Sequence, residues 1–260
     1  MKKLKILLFL LLIGLNLFSI DLNLENSAVA NASSGINLIY LTPSSAYYNP
    51  AFFAKGIETS YTALFSLNEL SYYNLCGGVK LKRFNISSGL SYLDNPEYVE
   101  GTYFVGMSAS FMKTNFGLTA RTLFNKIGDD AYKIAYLFDV GFHKKFSRLS
   151  IAMSCKNITA SRFDGEKLPI YMLSEASYKL TSKSVFALGI EKQTQQDFIF
   201  RFALSYKVSR YFSIFSGYQF DPQRIGAGFL VKIKKINFSY SIRTHDYLNL
   251  THYLSLGYDL

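Results

Sequence analysis

The sequence predicts an all-β fold, namely a closed antiparallel transmembrane β-barrel of about fourteen strands with an N-terminal plug segment. Three observations predict it: large apolar side chains alternate with small polar ones along most of the chain, the alternating segments are long, and charged residues are scarce. Asp, Glu, Lys and Arg make up 18% of the 260 residues, below the roughly 25% of soluble domains. The hydrophobic content of 49% excludes a disordered chain, and two cysteines cannot form a disulfide-rich scaffold.

The first residues have the pattern of a secretory signal peptide. Lys2, Lys3 and Lys5 precede the apolar run 6–15, which is shorter than the roughly 18 to 20 residues of a helical membrane span. We therefore assign residues 1–19 to a signal peptide that is removed on export. Ala28-Val29-Ala30 is an alternative cleavage site, and an uncleaved N-terminal anchor is the alternative interpretation.

From Ile57 onward the chain consists of segments with a period of two, so residues 57–260 are assigned to the barrel. In the segment 236–243, Ile236, Phe238 and Tyr240 alternate with polar residues. Most segments are about ten residues long, which suits a tilted strand that crosses a bilayer and is longer than most globular strands. Counting gives about fourteen strands, which begin near Ile57, Ser71, Phe84, Gly101, Asn115, Tyr132, Ser147, Pro169, Ser182, Gln196, Tyr211, Gln223, Asn237 and Leu250.

The two faces of these strands differ in a way that favours a membrane barrel over a soluble sandwich. One face carries long apolar and aromatic side chains, and the other carries mainly Ser, Gly, Ala, Asn and Thr. A lipid-facing barrel has large apolar residues outside and small polar ones inside. A soluble sandwich would expose many more charges to water and use them to block edge pairing.

The connections between predicted strands alternate in charge. With both termini in the periplasm, the even-to-odd connections are short periplasmic turns that carry cations and no acid. The other connections are longer and hold most acidic residues, including Glu100, Glu191 and Asp246. We call the following cations the basic rim: Lys80, Lys82, Arg83, Lys144, Lys145, Arg148, Lys232, Lys234 and Lys235.

The basic rim has two interpretations. It anchors the barrel at the phosphates of outer-membrane lipid, or it docks an acidic periplasmic or secretion-system protein. Nucleic acid does not fit, because the cations ring one edge and do not line a groove with stacking aromatics.

The last predicted strand carries an apolar face that reaches the final residue. It resembles the C-terminal assembly signal of bacterial outer-membrane barrels, in which the barrel-assembly machinery would read Leu254, Leu256, Tyr258 and Leu260. The resemblance implies a location in the bacterial outer membrane.

Residues 20–56, before the barrel, differ from the rest of the chain. They are small and polar as far as Ser34 and then turn aromatic around Asn49-Pro50. We predict a plug inside the barrel mouth, since small residues pack closely and aromatic residues supply contact area. A flexible periplasmic leader is the alternative.

The run Ala46-Tyr-Tyr-Asn-Pro-Ala-Phe-Phe-Ala54 resembles the Asn-Pro-Ala motif of the FadL-like outer-membrane superfamily, and within it the PorV/PorQ-type proteins associated with type IX secretion. The resemblance implies that Asn49, Pro50 and Ala51 close an N-terminal hatch, where Pro50 fixes φ and removes a donor. Phe52-Phe53 replaces the usual Gly-Leu. The predicted loops are modest, so fatty-acid transport specifically is not carried over.

No motif predicts catalysis, a metal or a cofactor. His143, His245 and His252 are assigned to a turn, a loop and an outward strand face, and none has metal-ligand spacing or a nucleophile motif. A Ser-His site assembled across strands is the remaining enzymatic alternative. Cys76 and Cys155 fall on distant strands and are expected to be unpaired.

Two functions therefore remain. The first is a non-catalytic barrel associated with transport or secretion, as the PorV- and FadL-like resemblance implies. The second is a structural or interaction barrel of the envelope with no conductance.

Overall fold

The computed structural model describes residues 27–95, 97–194 and 196–260. The predicted signal peptide over 1–19 and residues 20–26 of the predicted plug lie outside these ranges. The division into a signal peptide, a plug over 20–56 and a barrel over 57–260 stays a prediction.

Most described residues lie in antiparallel strands. The elements before the barrel are the helix α1 Ala28–Ala32 and the 3₁₀ helix Pro43–Tyr47, and two further 3₁₀ helices, Leu64–Ser66 and Asn68–Leu70, follow the first strand. The strands are β1 Gly56–Ala63, β2 Ser71–Leu81, β3 Phe84–Asn95, β4 Tyr98–Phe111, β5 Thr114–Ile127, β6 Lys133–Lys145, β7 Leu149–Lys156, β8 Arg162–Phe163, β9 Glu166–Lys167, β10 Tyr171–Lys179, β11 Ser184–Gln193, β12 Phe198–Lys207, β13 Phe212–Gln219, β14 Arg224–Ile233, β15 Ile236–Arg243 and β16 Thr251–Tyr258.

Fourteen of these strands form a closed barrel, and β8 and β9 form a separate hairpin. Closure is made by β1, in which Ile57 pairs with Gly77 of β2 on one side and with Tyr258 of β16 on the other. Because each barrel strand has two neighbours, no strand edge is left unpaired at the seam. The predicted closed antiparallel barrel of fourteen strands is confirmed, and the largest error in a strand start is at β4, which begins at Tyr98 instead of Gly101.

The outer surface carries the large apolar side chains, as the period of two predicts. Along β5, Phe116 and Leu118 are exposed, whereas Gly117, Thr119 and Arg121 are buried inside. Among the described residues, no helix is long and apolar enough to span a membrane.

The two ends of the barrel differ in the length of their connections. At one end, which we call the short-turn end, the strands are joined by the turns 82–83, 112–113, 146–148, 180–183, 208–211 and 234–235. At the opposite, long-loop end, the connections include 64–70, 157–170 and 244–250. The hairpin of β8 and β9 lies within the loop 157–170.

Several charged residues lie elsewhere than predicted. Glu100 and Glu191, assigned to connections, lie in β4 and β11 and are buried. His143, assigned to a turn, lies in β6 with its side chain buried. These strands extend further than the apolar alternation indicates, because a charged side chain can face the interior where it finds a polar partner. Glu191 has such a partner in Arg201, at 2.7 Å between Oε2 and Nη2.

We expect Leu118→Arg to lower the free energy of unfolding by about 2–4 kcal/mol in a phosphatidylcholine bilayer, because a cation near the middle of β5 would meet acyl chains. Met112→Arg is the matched control. Met112 is 79% exposed, against 59% for Leu118, but lies in a turn, so we expect a loss of about 0–1 kcal/mol. Reversible guanidinium unfolding in vesicles measures both, and equal losses would contradict a lipid-facing belt.

Candidate functional site in the barrel interior

Residues 27–55, which we call the inner segment, lie inside the barrel. Helix α1 packs against β14 and β15, where Val29 and Ala32 join an apolar cluster with Ala203, Phe215 and Leu230 of the wall. Its small side chains allow this close approach. The role of the segment as a plug stays a prediction.

The 3₁₀ helix Pro43–Tyr47 follows from local sequence signals. Pro43 occupies its first turn, and Thr42 and Ser45 form a capping box, in which Thr42 N donates to Ser45 Oγ at 3.0 Å. The helix contacts β1, β2 and β3. It therefore lies on the wall strands next to those that α1 contacts, since β1 pairs with β16.

The predicted hatch motif is seated against β5, β6 and β7. Asn49 Nδ2 donates to the carbonyl oxygens of Phe142 at 3.3 Å and Met153 at 3.1 Å, and Ala51 N donates to Asn49 Oδ1 at 2.9 Å. Two wall glycines make room for the motif. A Cβ at Gly117 would lie 2.1 Å from Pro50 O, and one at Gly141 would lie 2.1 Å from Asn49 Oδ1.

Two wall carboxylates accept hydrogen bonds from the backbone of the inner segment. Glu175 of β10 accepts from Asn37 N at 3.2 Å and Leu38 N at 2.9 Å. Glu58 of β1 accepts from Ser44 N at 3.0 Å. These amides lie outside regular secondary structure or in the first turn of a helix, so they need partners from elsewhere.

Arg121 of β5 binds the inner segment from another side. Its Nη2 donates to Asp139 Oδ2 of β6 at 2.6 Å and to the carbonyl oxygen of Tyr47 at 2.9 Å. The guanidinium also lies 4.2 Å from the centre of the Tyr47 ring. Both charged side chains are at most 1% exposed, so the pair is fully desolvated.

Asp139 also connects this site to the loop 157–170. Its second oxygen, Oδ1, accepts from Asn157 N at 2.9 Å. Asn157 Nδ2 in turn donates to the carbonyl oxygens of Leu168 and Pro169, each at 3.1 Å. A continuous series of hydrogen bonds thus joins the inner segment, the wall and the loop at the long-loop end.

An apolar cluster lies beyond this charged layer, toward the long-loop end. On β5, Leu123 follows Arg121, and on β6, Leu137 precedes Asp139, so these inward side chains occupy the next layer outward. The loop contributes Phe163 and Leu168, which are buried against the wall. The full cluster consists of Leu123, Ala135, Leu137, Phe163, Leu168, Tyr171 and Leu173.

A cavity of about 40 Å³ lies at the short-turn end, between residues 40–43 of the inner segment and the inner faces of β15 and β16. Its lining includes Glu58, Asn237 and Ser255. A cavity of this size holds a few water molecules, whereas benzene occupies a cavity of on the order of 150 Å³.

The described interior side chains pack against one another and make polar contacts. The described residues contain no group of three or more His, Cys, Asp or Glu side chains that could hold a metal ion. His143 packs its ring against Phe52, with 5.4 Å between centroids. In the loop 244–250, burial and then the positive charges of Arg224 and Arg243 lower the pKa of His245 to about 4, so this ring is neutral at pH 7.

Comparison with known proteins identifies the fold. No family model and no curated protein matches the chain. Among solved structures, the CymD monoaromatic hydrocarbon channel aligns with a TM-score of 0.68 over 93% of this chain and 99% of its own, at 8% identity. The toluene transporter TodX of Pseudomonas putida aligns with a TM-score of 0.67 over 90% of this chain and 98% of its own, at 10% identity. The chain has the fold of these two channels.

The structure brings together some of the predicted site residues and separates others. Asn49, Pro50 and Ala51 lie inside the barrel, whereas the basic rim lies at the short-turn end. Leu254, Leu256, Tyr258 and Leu260 are exposed, the first three on the outer face of β16, and their recognition by assembly machinery stays a prediction. Asp259 pairs with Lys232 of the basic rim and was not among the predicted site residues.

Four wall residues that hold the inner segment were also not predicted from the sequence, namely Glu58, Arg121, Asp139 and Glu175. Their signal is a single charged residue at an inward position of a strand, between inward neighbours that are uncharged. Thr119, Arg121 and Leu123 of β5 illustrate this pattern.

We expect Gly117→Ala to loosen the inner segment, because the added methyl group would lie 2.1 Å from Pro50 O. Chymotrypsin cleaves after Tyr and Phe, so it should cut the variant within residues 47–53 and leave these bonds of the unsubstituted protein intact. Gly257→Ala is the matched control, since its Cβ meets no atom closer than 3.5 Å. Equal cleavage rates within residues 47–53 in the three proteins would contradict the close contact between Pro50 and Gly117.

We expect Arg121→Met to lower the free energy of unfolding by about 3–5 kcal/mol, because it leaves Asp139 buried without its cation. Adding Asp139→Asn should recover part of this loss, since the amide oxygen can still accept from Asn157 N. Guanidinium unfolding of the single and double variants in vesicles measures the coupling. A double variant that is less stable than the Arg121→Met variant would show that the pair is not a unit.

Proposed function

We propose that this protein is an outer-membrane channel for small apolar solutes, and that the inner segment closes its lumen. The observation that carries the proposal is the apolar cluster on the inner wall at the long-loop end. Below it lie the charged layer of Arg121 and Asp139 and then the Asn49-Pro50-Ala51 motif. A solute that enters from the long-loop end meets apolar side chains first and the inner segment next.

Small aromatic hydrocarbons are the substrate class we favour. The solved structures with this fold include a monoaromatic hydrocarbon channel and a toluene transporter. The apolar cluster supplies matching chemistry through Phe163, Tyr171 and four leucines, since aromatic rings pack well edge to face.

We further propose that the long-loop end faces the exterior and that the short-turn end and both termini face the periplasm. Outer-membrane barrels have short periplasmic turns and longer external loops. The solved channels with this fold support a location in the outer membrane.

A barrel without conductance is the second candidate. In this case the protein acts in the envelope as a structural or secretion-associated component, as the PorV/PorQ-type resemblance of the Asn49-Pro50-Ala51 motif implies. The observation that favours it is the occupied lumen, in which the cavity beside the inner segment measures about 40 Å³. The two candidates differ in whether the inner segment moves to open the lumen, as a channel requires.

The test is the initial rate of radiolabelled toluene uptake by cells that carry the protein, compared with cells that lack it. Whole cells are required, because phospholipid vesicles are themselves permeable to toluene. We expect Phe163→Ser to reduce the protein-dependent rate by about tenfold, equivalent to ~1.4 kcal/mol. Ile158→Ser, at an exposed position of the same loop, is the matched control and should leave the rate unchanged.

Deletion of residues 27–55 should raise uptake above that of the full protein, provided that heat-modifiable gel migration shows a folded barrel. If cells with the full protein take up toluene no faster than cells without it, and the deletion changes nothing, the channel is excluded and the barrel without conductance remains.

A further inference from the structure

The short-turn end combines exposed cations with exposed apolar side chains at every turn. All of the turn cations are exposed: Lys82, Arg83, Lys113, Arg148, Lys183, Arg210, Lys234 and Lys235. Each turn also has a large exposed apolar side chain within it or beside it, as the 64% exposure of Phe111 and the 60% exposure of Ile233 illustrate. The corresponding apolar residues are Leu81, Phe84, Phe111, Met112, Phe146, Leu149, Leu180, Val208, Tyr211, Ile233 and Ile236.

Several cations lie against the aromatic rings of this end. The guanidinium of Arg210 is 4.5 Å from the centre of the Tyr211 ring. Lys144 Nζ is 5.6 Å from the ring of Phe146, and Lys235 Nζ is 5.6 Å from the ring of Tyr258. A cation held over an outward aromatic ring is placed where headgroups meet acyl chains, since amphipathic side chains keep their apolar part in lipid and their charge at the surface.

The charge of this end is nearly unopposed. None of the six turns contains Asp or Glu, and Asp259, which lies beside them, is paired with Lys232. The acidic residues gather at the opposite end, where the loops hold Asp129, Asp130, Asp164 and Glu166. The excess of cations is therefore confined to the short-turn end and is not a property of the whole surface.

We propose that the short-turn end binds the anionic headgroups of phospholipids, through a ring of sites that each join one turn cation to an adjacent apolar side chain. Anionic membrane surfaces attract Lys and Arg side chains. A lipid annulus explains why the pattern recurs at all six turns around the circumference. An acidic protein would need a contiguous patch on one side, and it would leave the apolar side chains at the other turns facing water.

The test uses spin-labelled lipids added to the purified full protein in phosphatidylcholine vesicles. The motionally restricted fraction of the spectrum gives the relative association constant of phosphatidylglycerol over phosphatidylcholine. We expect the unsubstituted protein to prefer phosphatidylglycerol by about fivefold, and we expect 1 M sodium chloride to remove the preference, because at this concentration the screening length is about 3 Å.

The cluster variant replaces Lys82, Arg83, Arg148, Lys183, Lys234 and Lys235 by glutamine and should lose most of the preference. Two double variants separate the effect of position from the effect of the charge change. Lys82→Gln with Arg83→Gln should reduce the preference, whereas Arg162→Gln with Lys167→Gln, the same change at the long-loop end, should not. Heat-modifiable gel migration checks the folding of each variant, and the salt titration of the unsubstituted protein stands on its own if the cluster variant does not fold.

The proposal is overturned if the unsubstituted protein shows no preference, or if the preference survives both salt and the Lys82→Gln, Arg83→Gln substitutions. If there is no lipid preference and a periplasmic protein co-purifies with the unsubstituted chain but not with the cluster variant, this end is a protein docking site instead.

Discussion

The backbone of residues 27–55 must find hydrogen-bond partners inside a closed barrel, and the rest of the interior depends on how it does so. The segment has only two short helices, so many of its amides and carbonyls lack a local partner. Charged side chains of the wall supply them, as Glu175 does for Asn37 and Leu38 and Arg121 does for Tyr47. Hydrogen bonds to charged groups are stronger than those between neutral groups, which explains why a barrel lined mainly with small residues keeps these charges.

This constraint divides the interior into layers with different properties. The Asn49-Pro50-Ala51 motif needs glycines at 117 and 141 because a Cβ at either position would meet it. The Arg121–Asp139 pair lies one layer further out and holds both the inner segment and Asn157. The apolar cluster above it is covered by Phe163 and Leu168 of the loop. The order of these layers, read from the long-loop end, runs from apolar to polar, and it is the physical basis of the proposed function.

Much of the wall could be predicted from the sequence, because a period of two reports which face of a strand meets lipid. The strand count and the outward position of residues such as Leu118 follow from it. The period does not report where a strand ends, so Glu100, Glu191 and His143 were assigned to connections although they lie in strands. The partners of Glu175 and Glu58 were beyond prediction, since contacts between residues 37 and 175 depend on how the segment folds back through the barrel. The Asn-Pro-Ala resemblance pointed to residues 49–51, but it could not predict their contacts with β5, β6 and β7.

Hydrogen exchange of the protein in lipid nanodiscs, followed by mass spectrometry, tests the central claim most directly. If the inner segment is held by wall carboxylates, peptides that contain the amides of Asn37, Leu38 and Ser44 exchange as slowly as those of β1 and β10, which carry Glu58 and Glu175. Exchange of these amides at the rate of an unstructured chain, with the strands still protected, would contradict the account.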